Sequence, residues 1–212
     1  MFLLASALFL GFLHGLGADH LMAIAALSMD GDLGDRSAGA RRARALGVAM
    51  RFAAGHALLL GVGASLIVLI GWSIPAHVER GGEMLGGALL IVMGFVTLQH
   101  LRVGRHHHAH AIGVPHAHSH LPTMIGAAFA VSSLRALAML TPFGAGLGTA
   151  PLPVLLALIG VFALGILVSM SLFGVALAGV LSTRALGRVG RGAGALVGLS
   201  SVALGVAWVV TA

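Results

Sequence analysis

Residues 152–181 read LPVLLALIGVFALGILVSMSLFGVALAGVL, a stretch without a single charged side chain. About 20 apolar residues in a helix cross the hydrocarbon core of a bilayer, which is about 30 Å thick. The stretch therefore predicts a transmembrane helix. The whole chain agrees, because 58% of its 212 residues are hydrophobic and 8% are charged, whereas a soluble domain carries about 25% charged residues. This composition excludes a water-soluble globule.

Five further apolar runs are long enough to cross a bilayer. The six predicted spans are 2–28, 46–72, 84–101, 123–141, 152–181 and 193–210. Helix breakers such as Pro75, Pro122 and Pro151 lie between them. Lipid offers the backbone no hydrogen bonds, so helices are the expected spanning form. A signal peptide is the competing interpretation of the first run, but that run is long and has no basic N-terminal region. We therefore predict an all-α membrane protein with six transmembrane helices.

The content of cysteine, lysine and histidine in the chain is unusual. The chain has no cysteine and no lysine, but it has twelve histidines and a formal net charge of +6 that comes from arginine. The lack of cysteine excludes disulfides, thiolate zinc sites and iron–sulfur clusters. A basic chain can also indicate nucleic acid, but these arginines lie between apolar runs. We therefore expect the lipid bilayer as partner and no nucleic acid.

The arginines predict the orientation of the chain. Nine of the twelve lie in the segments after the first, third and fifth spans, and only Arg80 lies on the opposite side. The nine are Arg36, Arg41, Arg42, Arg44, Arg102, Arg105, Arg184, Arg188 and Arg191. Arginine-rich loops stay in the cytoplasm. We expect a multi-pass protein of the plasma (inner) membrane with these three loops inside and both termini outside.

A weak internal repeat divides the chain into halves. Arg80, Gly87 and Gly94 recur as Arg191, Gly198 and Gly205, each 111 residues later. Three spans per half is an odd number, so the halves would be inverted repeats, a common plan of transporters. Chance is the alternative, because the chain has 32 glycines. We predict a first half over 1–101, a loop over 102–121 and a second half over 122–212.

The first span contains three ionisable residues, His14, Asp19 and His20. An ionisable group at mid-membrane costs at least ~2.5 kcal/mol, so it usually has a function and a partner. Imidazole and carboxylate bind Ni²⁺, Co²⁺ and Zn²⁺. On a straight helix His14 and His20 point about 120° apart, so a shared ion requires a local break, which Gly15 and Gly17 permit. Three separate interhelical hydrogen bonds are the alternative.

The second span adds His56 at the depth of His20. At about 1.5 Å per residue, His20 lies roughly 12 Å and His56 roughly 15 Å from the inner end of their spans. We therefore predict that His56 joins the metal site. Two arginines within spans are candidates for gating or an ion pair: Arg51 pairs with Asp19 or snorkels to the interface, and Arg135 repels the bound cation or is structural.

Seven histidines lie within residues 106–120, between the third and fourth spans. They are His106, His107, His108, His110, His116, His118 and His120. Tracts of this kind bind late first-row metals weakly. We predict accessory metal capture on the cytoplasmic side; a solvated linker is the alternative.

The pattern H-x4-D-H at His14, Asp19 and His20, followed by F-x-x-G-H at 52–56, resembles the nickel/cobalt transporter family (NiCoT, within the NicO group). The specific likeness covers about the first 60 residues. A typical member has eight helices, and this chain resembles a short member with six. The resemblance implies that His14, Asp19, His20 and His56 govern the uptake and selectivity of Ni²⁺ or Co²⁺.

Three interpretations of the function follow. The first is a permease that transports Ni²⁺ or Co²⁺, with uptake favoured by the H-x4-D-H match. The second is efflux, because the chain is also similar to the related nickel/cobalt efflux proteins with their cytoplasmic histidine tract. The third is a non-transporting accessory protein for a nickel enzyme. We expect no enzyme activity and no permanently bound cofactor. Without an ATP-binding P-loop, a gradient or another subunit must drive transport, and a homo-oligomer is an open alternative.

Overall fold

Helices make up the structure, a computed structural model that describes residues 2–29, 37–70, 74–103, 120–133, 152–181 and 184–212. Within these ranges there are seven α-helices and no strand, so the predicted all-α class is confirmed. The helices are α1 (Phe2–Gly15), α2 (Ala18–Met29), α3 (Ala38–Ile70), α4 (Ala76–Val103), α5 (Leu121–Ser132), α6 (Leu152–Leu181) and α7 (Arg184–Thr211).

Up to five membrane crossings are present in the described part of the chain. Four stretches are long and apolar enough by themselves: Ala38–Ile67, Ala76–Leu101, Leu152–Val180 and Gly192–Thr211. The bent pair of α1 and α2, which meet at an angle of 52°, is long and apolar enough to form a fifth if the two helices act as one span. The outward faces of the long helices are apolar: Leu58, Leu172 and Leu196 are each more than half exposed. An apolar exterior over buried polar groups is what lipid requires, and it identifies a membrane-embedded protein.

The helices extend beyond several of the predicted spans. Helix α6 has the bounds predicted for the fifth span, whereas α3 begins at Ala38 instead of residue 46 and α4 at Ala76 instead of residue 84. The predicted loop arginines Arg41, Arg42 and Arg44 are thus helical. The apolar pattern locates the membrane-crossing part, but arginine is a good helix former and continues the helix into the polar region.

The fourth predicted span, over 123–141, is described only in part. Helix α5 covers residues 121–132, with Pro122 in its first turn, a position at which proline favours the start of a helix. Residues 134–141 lie outside the described residues. As a described helix, α5 is apolar but short.

The long helices form two antiparallel pairs. In the α4–α7 pair, Gly87 lies against Gly205 and Gly94 against Gly198, so the numbering runs in opposite directions. Between them the Ser201 hydroxyl donates a hydrogen bond to the Leu90 carbonyl at 2.8 Å. In lipid, small residues allow this close approach, and van der Waals contact drives the association.

The second antiparallel pair, α3–α6, carries α5 and α1 on its flanks. Gly174 of α6 lies against Ala49 of α3, and Gly61 lies against Ala163. Helix α1 packs on α6, while α5 packs on α3. The buried apolar core fills the space between α2, α3, α4, α5 and α6, with Phe52, Phe129 and Phe162 as its largest side chains. This packing brings the polar residues predicted in the first half against phenyl rings of α3, α5 and α6.

The contact between α1 and α6 yields a stability prediction. A Cβ at Gly165 would collide with the backbone of Leu8 and Phe12, and overpacking costs about 1–3 kcal/mol. We predict that Gly165→Ala lowers the melting temperature of the purified protein in detergent. The matched control is Gly160→Ala on the same helix, whose Cβ has no described atom within 4 Å; it should leave the melting temperature unchanged or slightly higher. Equal losses in the two variants would contradict the packing.

Candidate metal centre

The bent apolar pair of α1 and α2 is interrupted at Leu16 and Gly17. The Gly17 N–H donates to the His14 carbonyl at 2.9 Å, and the Gly17 carbonyl accepts the N–H of Leu21 at 3.1 Å. The chain therefore leaves one helix and enters the next within two residues. His14 lies in the last turn of α1 and Asp19 in the first turn of α2, where the helix dipole favours a carboxylate. The predicted break is present at the predicted glycines.

The break brings three imidazole rings together. Ring centroids are 5.0 Å apart for His14 and His20, 5.6 Å for His14 and His56, and 4.5 Å for His20 and His56. One ligand nitrogen from each ring lies within 4.8 Å of the others. Two nitrogens bound at about 2.1 Å to one ion are at most about 4.2 Å apart. A small inward movement of the rings is thus enough to form a three-histidine site.

The cluster is buried although its members are polar. Asp19 is 5% exposed, His20 1% and His56 0%, and His14 is half-buried. Four buried atoms have no hydrogen-bond partner among the described residues: His14 Nε2, Asp19 Oδ2, His20 Nδ1 and His56 Nε2. An unsatisfied buried polar group costs about 1–3 kcal/mol. A bound cation would be a suitable partner for all four atoms.

Asp19 lies beside the rings. Its Oδ1 is 3.1 Å from His20 Nδ1. A Cβ at Gly17 would lie 2.6 Å from this oxygen and 2.8 Å from this nitrogen. Glycine at residue 17 thus leaves room for both polar atoms against its backbone. The carboxylate adds a fourth donor, and a set of three imidazoles and one carboxylate suits Ni²⁺, Co²⁺, Zn²⁺ or Cu²⁺.

Three phenyl rings enclose the cluster. Phe52 is stacked on His56 with ring centroids 6.2 Å apart, Phe162 is stacked on His14 at 5.9 Å, and Phe129 is tilted against His20 at 6.2 Å. These rings come from α3, α6 and α5. They keep the surroundings apolar, which strengthens the electrostatic attraction between Asp19 and a cation.

Helix α5 supplies two polar contacts that spacing alone did not predict. The Gly126 carbonyl is 3.2 Å from His56 Nδ1, and the Ser133 hydroxyl is 3.3 Å from His20 Nε2. A Cβ at Gly126 would collide with the backbone of Phe52, so glycine permits this approach. The signal in the sequence was weak, since a serine or a glycine within an apolar run is common.

The remaining candidate residues lie elsewhere. Arg51 has an exposed side chain on α3. His120 is exposed immediately before α5 and is not part of the cluster. Arg135 and six histidines of the tract lie outside the described residues: His106, His107, His108, His110, His116 and His118.

Comparisons with family models, with curated proteins and with solved structures give no match for this chain. Its class is therefore defined by the fold and the site alone: a helical membrane protein with a buried cluster of three histidines and an aspartate.

The geometry predicts that Ni²⁺ stabilises the folded protein. A ligand at 100 times its Kd adds about 2.7 kcal/mol, so saturating Ni²⁺ should raise the melting temperature in detergent. His56→Ala should lose this rise, because it removes one ligand nitrogen. His77→Ala is the matched control, since His77 is an exposed histidine of α4 outside the cluster. All variants keep the histidine tract, so the difference isolates the cluster. A full rise in His56→Ala would contradict the site.

Proposed function

We propose that the protein is a membrane permease for a divalent transition metal ion, with Ni²⁺ or Co²⁺ as cargo. The observation that carries this proposal is the group of unpartnered, buried nitrogen and carboxylate atoms at the break of a membrane-crossing helix. His14, His20 and His56 replace part of the hydration shell of the ion, and Asp19 offsets its charge. The H-x4-D-H resemblance to nickel/cobalt transporters supports the choice of cargo.

The location of the site favours transport over static binding. Leu16 and Gly17 lie near the midpoint of the bent pair Phe2–Gly15 and Ala18–Ser28, and the three phenyl rings shield the cluster. Transporters typically place ion sites near the midplane on discontinuous helices. An accessory metal-binding protein needs a site that its partner can reach, and a shielded mid-membrane site does not serve that purpose well.

Two inverted halves, 1–101 and 122–212, are part of the proposal. Support comes from the α4–α7 pair, in which Gly94 lies against Gly198 and Gly87 against Gly205. The repeat of 111 residues pairs Gly87 with Gly198 and Gly94 with Gly205. Exchanging the members of each pair therefore turns the Gly94–Gly198 contact into the Gly205–Gly87 contact. The hydrogen bond from Ser201 to Leu90 joins residues with the same separation. Such exchange is expected of a twofold axis, and for antiparallel membrane helices this axis would lie in the membrane plane.

Alternating access follows from this arrangement. The first half provides the four ligands, and the second half covers them with α5 and α6. Rocking of one half against the other exposes the ion to one side and then the other. Imidazole binds metal only when it is unprotonated, so a proton entering from the acidic side promotes release of the ion. A proton gradient is then a sufficient driving force.

The proposed orientation follows the arginines. The three arginine-rich segments are cytoplasmic, both termini are outside, and the sixth crossing begins with α5. The histidine tract over 106–120 is then a cytoplasmic accessory site for metal. We favour uptake; efflux is the second candidate, because a tract on the cytoplasmic side could supply metal to an exporter.

Metal flux in proteoliposomes tests the proposal. We predict saturable Ni²⁺ uptake by the wild-type protein and a loss of at least about 100-fold in flux for His20→Ala and Asp19→Asn, because even residues that only orient metal ligands contribute about 10–100-fold. His77→Ala should transport normally. Deletion of residues 106–120 should change the apparent affinity and leave transport intact.

The outcomes separate the alternatives. The flux of Ni²⁺, Co²⁺ and Zn²⁺, measured in vesicles of both orientations, gives the direction of transport and the identity of the cargo. Wild-type flux in His20→Ala and Asp19→Asn would refute the site. Nickel binding without any flux in the wild type would identify an accessory protein, and complete loss of flux on deleting the tract would refute its accessory role.

A further inference from the structure

Helix α5 contacts two of the three histidines through polar atoms that face away from the proposed ion. Ser133, the residue that follows the last residue of α5, lies 3.3 Å from His20 Nε2. The carbonyl of Gly126 lies 3.2 Å from His56 Nδ1. Both contacts come from the second half of the chain, whereas all four proposed ligands belong to the first half.

The hydrogen bonds around His20 select one tautomer. A proton on Nε2 points at the Ser133 oxygen within hydrogen-bond geometry. A proton on Nδ1 has no aligned acceptor among the described residues, although Asp19 Oδ1 is 3.1 Å away. The Ser133 hydroxyl donates its own hydrogen to the Phe129 carbonyl at 3.0 Å, so its oxygen is available as an acceptor. The contact with Ser133 thus fits the tautomer that carries its proton on Nε2, which leaves Nδ1 bare beside Asp19.

His56 is held in the same way with its nitrogens reversed. A carbonyl can only accept, so the contact with Gly126 places the proton on His56 Nδ1. The bare nitrogen is then Nε2. Both bare nitrogens, His20 Nδ1 and His56 Nε2, are among the unpartnered buried atoms of the cluster. Helix α5 thus fixes which nitrogen of each ring can bind a cation.

The distance between His20 and Asp19 is compatible with a cation shared by this tautomer. With the proton on Nε2, the lone pair of Nδ1 and the carboxylate Oδ1 are two electron-rich atoms 3.1 Å apart. Two ligands that bind one ion at right angles, each at about 2.1 Å, are about 3.0 Å apart. The separation therefore suits a cation bound to both atoms.

We propose that Ser133 is a positioning residue that holds His20 in the tautomer whose Nδ1 binds the metal, and that α5 thereby links the second half to the site. This inference rests on the proposed function, because it assigns the control of metal affinity within that site. When the halves move and α5 leaves His20, the proton on Nε2 loses its acceptor. The ligand form of His20 is then no longer favoured, and the affinity for the ion falls on the release side.

Nitrogen-15 NMR of the apoprotein, labelled at the histidine rings, tests the tautomer directly. The resonances of His20 are assigned by their absence in His20→Gln. We expect the Nε2-protonated pattern in the wild type and a mixture of both tautomers in Ser133→Ala. Ser132→Ala is the matched control, since Ser132 also donates to the Phe129 carbonyl, at 2.7 Å; it should keep the wild-type pattern. Ser133→Thr keeps a hydroxyl and should restore it.

Transport provides the second measurement. The apparent KM for Ni²⁺ should rise about 10–100-fold in Ser133→Ala, the range found when a residue that orients a metal ligand is removed, and stay unchanged in Ser132→Ala. A proton on Nδ1 in the wild type, or an unchanged tautomer in Ser133→Ala, would overturn the inference. Either result would leave the proposed function standing as long as the wild-type protein transports Ni²⁺. Absence of wild-type flux together with the expected tautomer would reject the proposed function alone.

Discussion

Burial of Asp19 among three imidazoles, inside an apolar helical protein, is the constraint on which the rest of the structure depends. A carboxylate in a medium of low polarity is expensive unless a cation or strong hydrogen bonds accompany it. Here its Oδ2 and three ring nitrogens have no hydrogen-bond partner among the described residues. The surrounding helices, rings and glycines hold these atoms together in spite of that cost. We propose a divalent cation as the partner that removes this cost.

The position of each structural feature follows from this constraint. The break after Gly15 turns His14 toward His20, and Gly17 leaves room for the polar atoms of Asp19 and His20 against the backbone. The helix pairs α3–α6 and α4–α7 bring the second half over the cluster. Helix α5 and the residue that follows it contact two of the ring nitrogens. In the proposed transporter, a site built by one half and contacted by the other changes its affinity when the halves move.

Much of this arrangement could be predicted from the sequence, for physical reasons. Long apolar runs indicate membrane helices because lipid allows few alternatives, and α6 was predicted with its observed bounds. The cost of His14, Asp19 and His20 in lipid indicated a site, and the two glycines indicated the break. The predicted starts of α3 and α4 lie eight residues after the observed ones. Hydropathy indicates where the apolar part of a helix begins, and the helix itself extends beyond that part.

The matched depths predicted that His56 joins His14 and His20, but the contacts that α5 and α6 make with the cluster were beyond the sequence alone. Phe129 and Phe162 look like ordinary apolar residues, and only the packing of α5 and α6 places them on the imidazoles. Ser133 is likewise one of two adjacent serines, and only the structure shows which of them contacts a histidine. The most direct test of the account is the anomalous scattering of a crystal soaked in Ni²⁺, with data collected at the nickel absorption edge. We expect an anomalous peak between His14, Asp19, His20 and His56. Peaks confined to the histidine tract, with none in the membrane region, would contradict it.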